Sequence, residues 1–261
     1  MSHASYEHIG IEVTGFVATI EIRRGPNNFI DTDMVGEIAD ALEVFDNTPE
    51  VRSIVLCAEG KHFCAGADFG SRGPDGVARG AKRGRHLYKE AQRLWRTGKP
   101  IVAAVHGAAV GAGVGMAVMA DFRVTCPEAR FSTNFTRMGY HPGFGLTATL
   151  PRLIGEQQAA LLFYTGRRIG GEEALRIGLA DCCVPMDQVR AKATELATEI
   201  GQSGPLAIVS TRETLRRGLA DAVARATERE FEEQDWLRHT ADFKEGIKAM
   251  GERRLPNFQR R

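Results

Sequence analysis

From Ile9 the chain alternates apolar and polar residues through IGIEVTGFVATIEIRR. A period of two is the spacing of a half-buried strand, and Thr14-Gly15 in its middle predicts two strands joined as a hairpin. Gly25-Pro26-Asn27-Asn28 breaks the pattern. From Thr32 to Phe45 the period lengthens, and Met34, Ile38, Leu42 and Phe45 recur on one face of a helix. Asp31 and Asp33 before and within its first turn read as N-caps. SIVLCAEG is an unbroken apolar strand that runs into a glycine turn, HFCAGAD. A helix from His86 to Arg96, the buried strand IVAAVHG, a helix over 113–120, the strand FRVTC and the segment ARFSTNF continue the alternation. The first two-thirds thus predicts an α/β fold with repeated crossovers.

After Gly166 the pattern changes. GEEALRIGLAD reads as a short helix closed by a glycine turn, Met186 to Ile200 as a charged helix, and 205–252 as helical almost throughout. Gly201-Gln202-Ser203-Gly204-Pro205 marks the boundary between a core over 1–200 and a helical region over 201–261. That region is too small to have a core of its own and must pack on another surface.

Composition narrows the function classes. The chain has 261 residues, 43% of them apolar, and a formal net charge of +1. No global field favours nucleic acid or an anionic membrane. Residues 71–86, SRGPDGVARGAKRGRH, are locally basic, but without interleaved aromatic residues they read as a solvated loop rather than a nucleic-acid surface. No apolar run reaches membrane-spanning length, and the N-terminus does not resemble a signal peptide. Five cysteines, an odd number without CxxC spacing, suggest buried thiols in a reducing compartment. A cytoplasmic location is expected, and the histidines and cysteines lack metal-ligand spacing.

Chemistry enters through two glycine turns that each end a buried strand. Residues 111–114 (GAGV) open a helix, whose first N–H groups have no intrahelical partner and whose dipole favours negative charge. Residues 64–68 (CAGAD) offer a second such turn. The first is not a dinucleotide fingerprint, because Met116 stands where that motif needs a third glycine. Two donor turns together predict an oxyanion hole built from backbone N–H groups.

HFCAGAD, KPIVAAVHGAAVGAGVGMAVMADFRV, GLTATLPRLIG, TGRRIGGEEALRIGLAD and ADFKEGIKAMGERRLPNF resemble, in order and spacing, the motifs of the crotonase (enoyl-CoA hydratase/isomerase) superfamily. The resemblance covers nearly the whole chain. It implies a spiral of ββα units with two roughly perpendicular sheets, followed by a C-terminal helical region that builds homotrimers or homohexamers. The expected ligand is an acyl-CoA thioester, with coenzyme A part of the substrate and no separate cofactor. By position the oxyanion donors would be the N–H groups of Ala67 and Ala112. Ala65 and the run Ala67, Asp68, Phe69 and Gly70 would follow the adenine and pantetheine arm. Arg24, with Arg253 or Arg254, would meet its phosphates. Phe135, Met138 and Phe144 would line the acyl end.

The same resemblance exposes two gaps. Hydratases of this family carry glutamates at positions that align with Gly115 and Phe135, and neither residue can move a proton. Dehalogenase and dienoyl-CoA isomerase branches need an aspartate where this chain has Gly143. The dehalogenases also need a tryptophan at Phe135 and a histidine near Tyr88. Decarboxylase-like members place a tyrosine near Pro142, in the loop that here reads MGYHPGFG. That loop makes His141 the preferred acid–base candidate, since an imidazole titrates near neutrality; the competing reading is a loop histidine that is only hydrogen-bonded. Tyr140, Tyr88 and Asp31 follow as candidates, while His62, His106 and Arg137 read as structural or solvated. The implied function is an acyl-CoA enzyme that stabilises an enolate or oxyanion without standard hydration. Decarboxylation, C–C hydrolysis and isomerisation remain open, and the alternative is a non-catalytic acyl-CoA-binding protein.

Overall fold

The computed structural model of the protein describes residues 6–67 and 86–261. Its larger sheet has six strands. β1 (Ile9–Thr14) and β2 (Val17–Ile22) form the expected antiparallel hairpin, with Ile9 opposite Ile22. β2 then pairs in parallel with β3 (Ser53–Ala58), and β3 with β4 (Ile101–Val105). Every residue of β3 and β4 is buried, as expected of central parallel strands covered on both faces. Beyond β4 the chain forms β5 (Ala108–Val110), β6 (Phe122–Thr125), β7 (Arg130–Ser132), β8 (Arg168–Gly170) and β9 (Cys182–Cys183). β6 and β9 complete the first sheet, in the order β1-β2-β3-β4-β6-β9, and β5-β7-β8 make a second, three-stranded sheet.

Helices fill the crossovers. α1 (Thr32–Asp46) is capped by Asp31, whose carboxylate accepts the Met34 N–H at 2.9 Å. α2 (Leu87–Leu94) packs on α1, and Arg93 ties the two through Asp40 and Glu43 while also pairing with Glu90 of its own helix. α3 (Ala112–Val118) starts and stops slightly earlier than its pattern predicts. α4 (Leu146–Ile154) and α5 (Glu156–Thr165) have no counterpart in the sequence reading. Pro151 inside α4 and the left-handed Gly155 (φ 80°) between the helices hide their period. α6 (Gly171–Arg176) and α7 (Val189–Gln202) lead to the tail.

The tail is α8 (Pro205–Leu215), α9 (Leu219–Leu237) and α10 (Ala241–Gly251). It packs on the rest of its own chain. Asp121, at the end of the α3 segment, is half-buried and receives buried Arg212 at 2.9 Å and Arg216 at 2.7 Å from the tail, while the Ile101 N–H donates to it at 2.8 Å. Burial pushes this carboxyl upward, but the two guanidiniums prevail and hold it below the usual aspartate range. α9 lies against α2 and α4, and α10 against a 3₁₀ turn at Thr136–Met138. Leu219 is buried, whereas Leu206, Leu215 and Trp236 are 86%, 68% and 56% exposed. Among the described residues no helix is long and apolar enough to cross a membrane. Cys57, Cys64 and Cys126 are buried free thiols, and Cys182 and Cys183 are half-buried.

Candidate active site

The two glycine turns meet backbone to backbone. Cys64 donates its N–H to the Ala108 carbonyl at 2.9 Å, and Val110 donates to the Cys64 carbonyl at 3.0 Å. A Cβ on Gly66 would lie 2.7 Å from the Val110 oxygen, and one on Gly113 would lie 2.2 Å from the Cys64 oxygen. These glycines are bare because one turn presses on the other, a role the sequence alone assigned to ligand approach. Ala67 follows the first turn and Ala112 begins α3, and both line one cavity of about 230 Å³. The carbonyl four residues before Ala112, that of Ala108, already accepts from Cys64. As the first N–H of its helix, Ala112 has no intrahelical acceptor.

Buried Asn28, which sequence reasoning passed over, anchors the first turn. Its amide donates to the carbonyls of Glu59 (2.9 Å) and His62 (2.7 Å), and its side-chain oxygen accepts the Arg24 N–H at 2.9 Å. Its left-handed backbone (φ 51°) was the readable signal, in the Asn-Asn pair after Pro26. Ala65 donates to the Asn27 carbonyl at 3.0 Å and lines the cavity. The Arg24 guanidinium is engaged at 2.5 Å by Asp31 and donates to the Phe29 carbonyl. Asp68, Phe69 and Gly70 lie outside the described residues.

Opposite the turns, the wall comes from α2, the loop after β7 and α9. Phe135 and Met138 line the cavity, whereas Phe144 does not. Its fully buried ring fills the space beside Gly115, where a Cβ would lie 2.6 Å from Phe144 Cδ1. Phe144 is held in a left-handed conformation (φ 65°), and the next N–H, that of Gly145, donates to Glu230 at 2.7 Å. The Glu230 carboxylate also accepts the N–H and hydroxyl of Thr147, at 3.0 and 2.7 Å, and so caps α4. Burial pushes this carboxyl up to about 7 despite those donors.

Gly143 is bare for a different neighbour. A Cβ there would lie 1.9 Å from the Tyr88 hydroxyl and 2.5 Å from Gln234 Nε2. Tyr88 Oη and Gln234 Oε1 are 2.8 Å apart, and Gln234 Nε2 donates to the His141 carbonyl at 2.8 Å. The His141 ring, the acid–base candidate of the sequence, lies 2.8 Å through Nδ1 from the Pro142 carbonyl and is not on the cavity wall. His86, Tyr88, Tyr140, Asp235 and Arg238 are on that wall. Sequence spacing could not unite Tyr88 with Gln234, because helices far apart in the chain bring them together.

A second, wider cleft adjoins this cavity through Asn134, Met138 and Met250. Arg130, Arg137, Arg167, Arg168, Arg253 and Arg254 line it without an acidic residue among its described walls. Arg137 donates to the Thr165 carbonyl at 2.6 Å, and Arg254 pairs with Glu245 at 2.5 Å. Among the described residues no three His, Cys, Asp or Glu side chains are grouped to hold a metal ion.

The sequence profile described as enoyl-CoA hydratase/isomerase matches residues 12–261. A probable enoyl-CoA hydratase of Bacillus subtilis is 31% identical over 256 residues, covering 96% of this chain and 98% of its own length. A crotonyl-CoA hydratase of Syntrophomonas wolfei is 32% identical over 256 residues, covering 97% and 98% respectively. A crystal structure of an enoyl-CoA hydratase/isomerase from Pseudoalteromonas atlantica superposes with a TM-score of 0.87 at 25% identity, over 97% of this chain and all of that one.

Proposed function

Since the chain belongs to the enoyl-CoA hydratase/isomerase family, we propose that its cavity takes an acyl-CoA thioester with the carbonyl oxygen between the N–H groups of Ala67 and Ala112. One observation carries the reading: two turns clamped backbone to backbone bring both residues onto one cavity, and the Ala112 N–H lacks an acceptor within its own helix. Fixed donors of this kind stabilise an enolate or tetrahedral oxyanion where negative charge develops, and losing one typically costs about 2.7–4 kcal/mol in the transition state.

The reaction is other than standard hydration. Water addition to an enoyl thioester needs placed groups to deliver and remove protons, and positions 115 and 135 hold glycine and phenylalanine. The Phe144 ring fills the space a side chain at 115 would need. Decarboxylation, C–C hydrolysis or isomerisation fits an oxyanion hole whose proton-carrying groups lie elsewhere, and His86, Tyr88 and Tyr140 are on the wall. A panel of acyl-CoA thioesters followed by mass spectrometry tests the proposal. Decarboxylation, C–C hydrolysis or isomerisation of a β-keto, malonyl-type or unsaturated thioester supports it, whereas rapid water addition to the unsaturated thioester would contradict it. Binding across the panel without any product would favour a non-catalytic acyl-CoA-binding protein.

A further inference from the structure

The sheet face that fronts the second cleft carries positive charge with little to oppose it. Side chains alternate along β7, so Phe131 turns into the core while Arg130 and Ser132 share the other face. Arg168 stands opposite Ser132 in the antiparallel pairing of β7 with β8 and joins them on that face. All three line the cleft, together with Arg167. Arg130 and Arg168 are exposed, and neither pairs with a carboxylate among the described residues. Ser132 is only 3% exposed, yet its hydroxyl has no partner. The buried Nε of Arg167 has none either, while its Nη2 is taken by Glu173 at 2.9 Å. Guanidiniums offer donors only, so the group that satisfies this wall is an acceptor-rich anion. The cleft meets the acyl cavity at Asn134, Met138 and Met250. It shares none of Phe29, Ala65, Gly66 and Ala67, on the side that the coenzyme arm would follow.

Resting on the acyl-CoA reading above, we infer that the acyl group ends in a distal carboxylate, which crosses this junction into the cleft and is held there by Arg130, Arg168 and Ser132. The carboxylate takes charge-assisted hydrogen bonds from the two guanidiniums and the unpaired hydrogen of the Ser132 hydroxyl, with Arg167 Nε as a further donor. A methyl group ending the same chain satisfies none of them. A site built to pair with a polar group discriminates against the analogue that lacks it, because its own buried groups are then left unpaired.

The test measures dissociation constants by calorimetry for thioesters matched in chain length: glutaryl- with pentanoyl-CoA, adipyl- with hexanoyl-CoA, and suberyl- with octanoyl-CoA. In the wild type, at least one dicarboxylic thioester should bind about ten- to a hundredfold more tightly than its monocarboxylic match, the scale of hydrogen bonds to a charged group. When Arg130→Gln and Arg168→Gln are combined that ratio should fall towards one, with circular dichroism checking that the variant is folded. The wild-type comparison needs no variant, so a misfolded substitution does not decide the matter. Monocarboxylic thioesters that bind with no gain from any distal carboxylate would overturn this inference and leave the acyl-CoA reading standing. A gain that survives intact in the folded double variant would also overturn it. So would a loss in that variant that is equal within every pair, which would assign the arginines to the phosphates of coenzyme A. No binding of any of these thioesters would overturn both readings.

Discussion

The Phe144 ring occupies the space that a side chain on Gly115 would need: a Cβ at 115 would sit 2.6 Å from Phe144 Cδ1 and 3.1 Å from Phe144 Cβ. The ring cannot easily withdraw, because its backbone is left-handed and Glu230 grips the following N–H. Gly115→Glu should therefore destabilise the fold by about 1–3 kcal/mol through overpacking, seen as a lower midpoint in urea. Gly115→Glu combined with Phe144→Ala should recover part of the loss. A single variant as stable as wild type would show that the slot is not filled as described.

Hydration is the corresponding activity prediction. Each placed proton-transfer group is worth roughly 10²–10⁴-fold, so crotonyl-CoA hydration should run several orders of magnitude below a hydratase with both carboxylates. A rate comparable with such an enzyme would refute the proposed proton inventory.

His141 offers a sharper comparison. Its ring is turned to the Pro142 carbonyl and is off the cavity wall, so His141→Gln should change turnover of the true substrate by less than about tenfold. A loss of 10²-fold or more, the scale of one acid–base group, would restore the role that the loop MGYHPGFG suggests.

Glu230 predicts a pH dependence of stability. Its folded carboxyl titrates at about 7 rather than 4.5 because burial disfavours the charge. Between those values the folded protein holds a proton that the unfolded chain has released. Stability should therefore decline as pH rises from about 4.5 to about 7, with ~3 kcal/mol as the upper scale for this group. Glu230→Gln should flatten that decline, as measured by urea titrations across the range. An equal slope in both proteins would remove Glu230 as its source.

The hairpin, α1 and the buried strands were legible because their periods are local: Ile9 to Ile22 alternates, and Met34 to Phe45 repeats on one face. α4 and α5 were not, since Pro151 and Gly155 interrupt the pattern while packing on α9 holds the α4 segment helical. At the site, the two glycine turns were readable because each ends a buried apolar strand, while the choice of Ala67 and Ala112 within them came from the family resemblance. The reason for those glycines was not readable: Gly113 answers to the Cys64 carbonyl, Gly115 to Phe144, and Gly143 to Tyr88. Each is a contact between segments far apart in sequence, and no window along the chain contains both partners.

The central claim is that two backbone N–H groups grip one carbonyl oxygen, and infrared difference spectroscopy addresses it directly. A saturated acyl-CoA labelled with ¹³C at the thioester carbonyl is compared free and bound to the protein. Donation from Ala67 and Ala112 weakens the C=O bond, so the labelled stretch should move to lower frequency and sharpen on binding. A bound thioester whose carbonyl stretch stays at its aqueous frequency or rises would contradict the oxyanion hole.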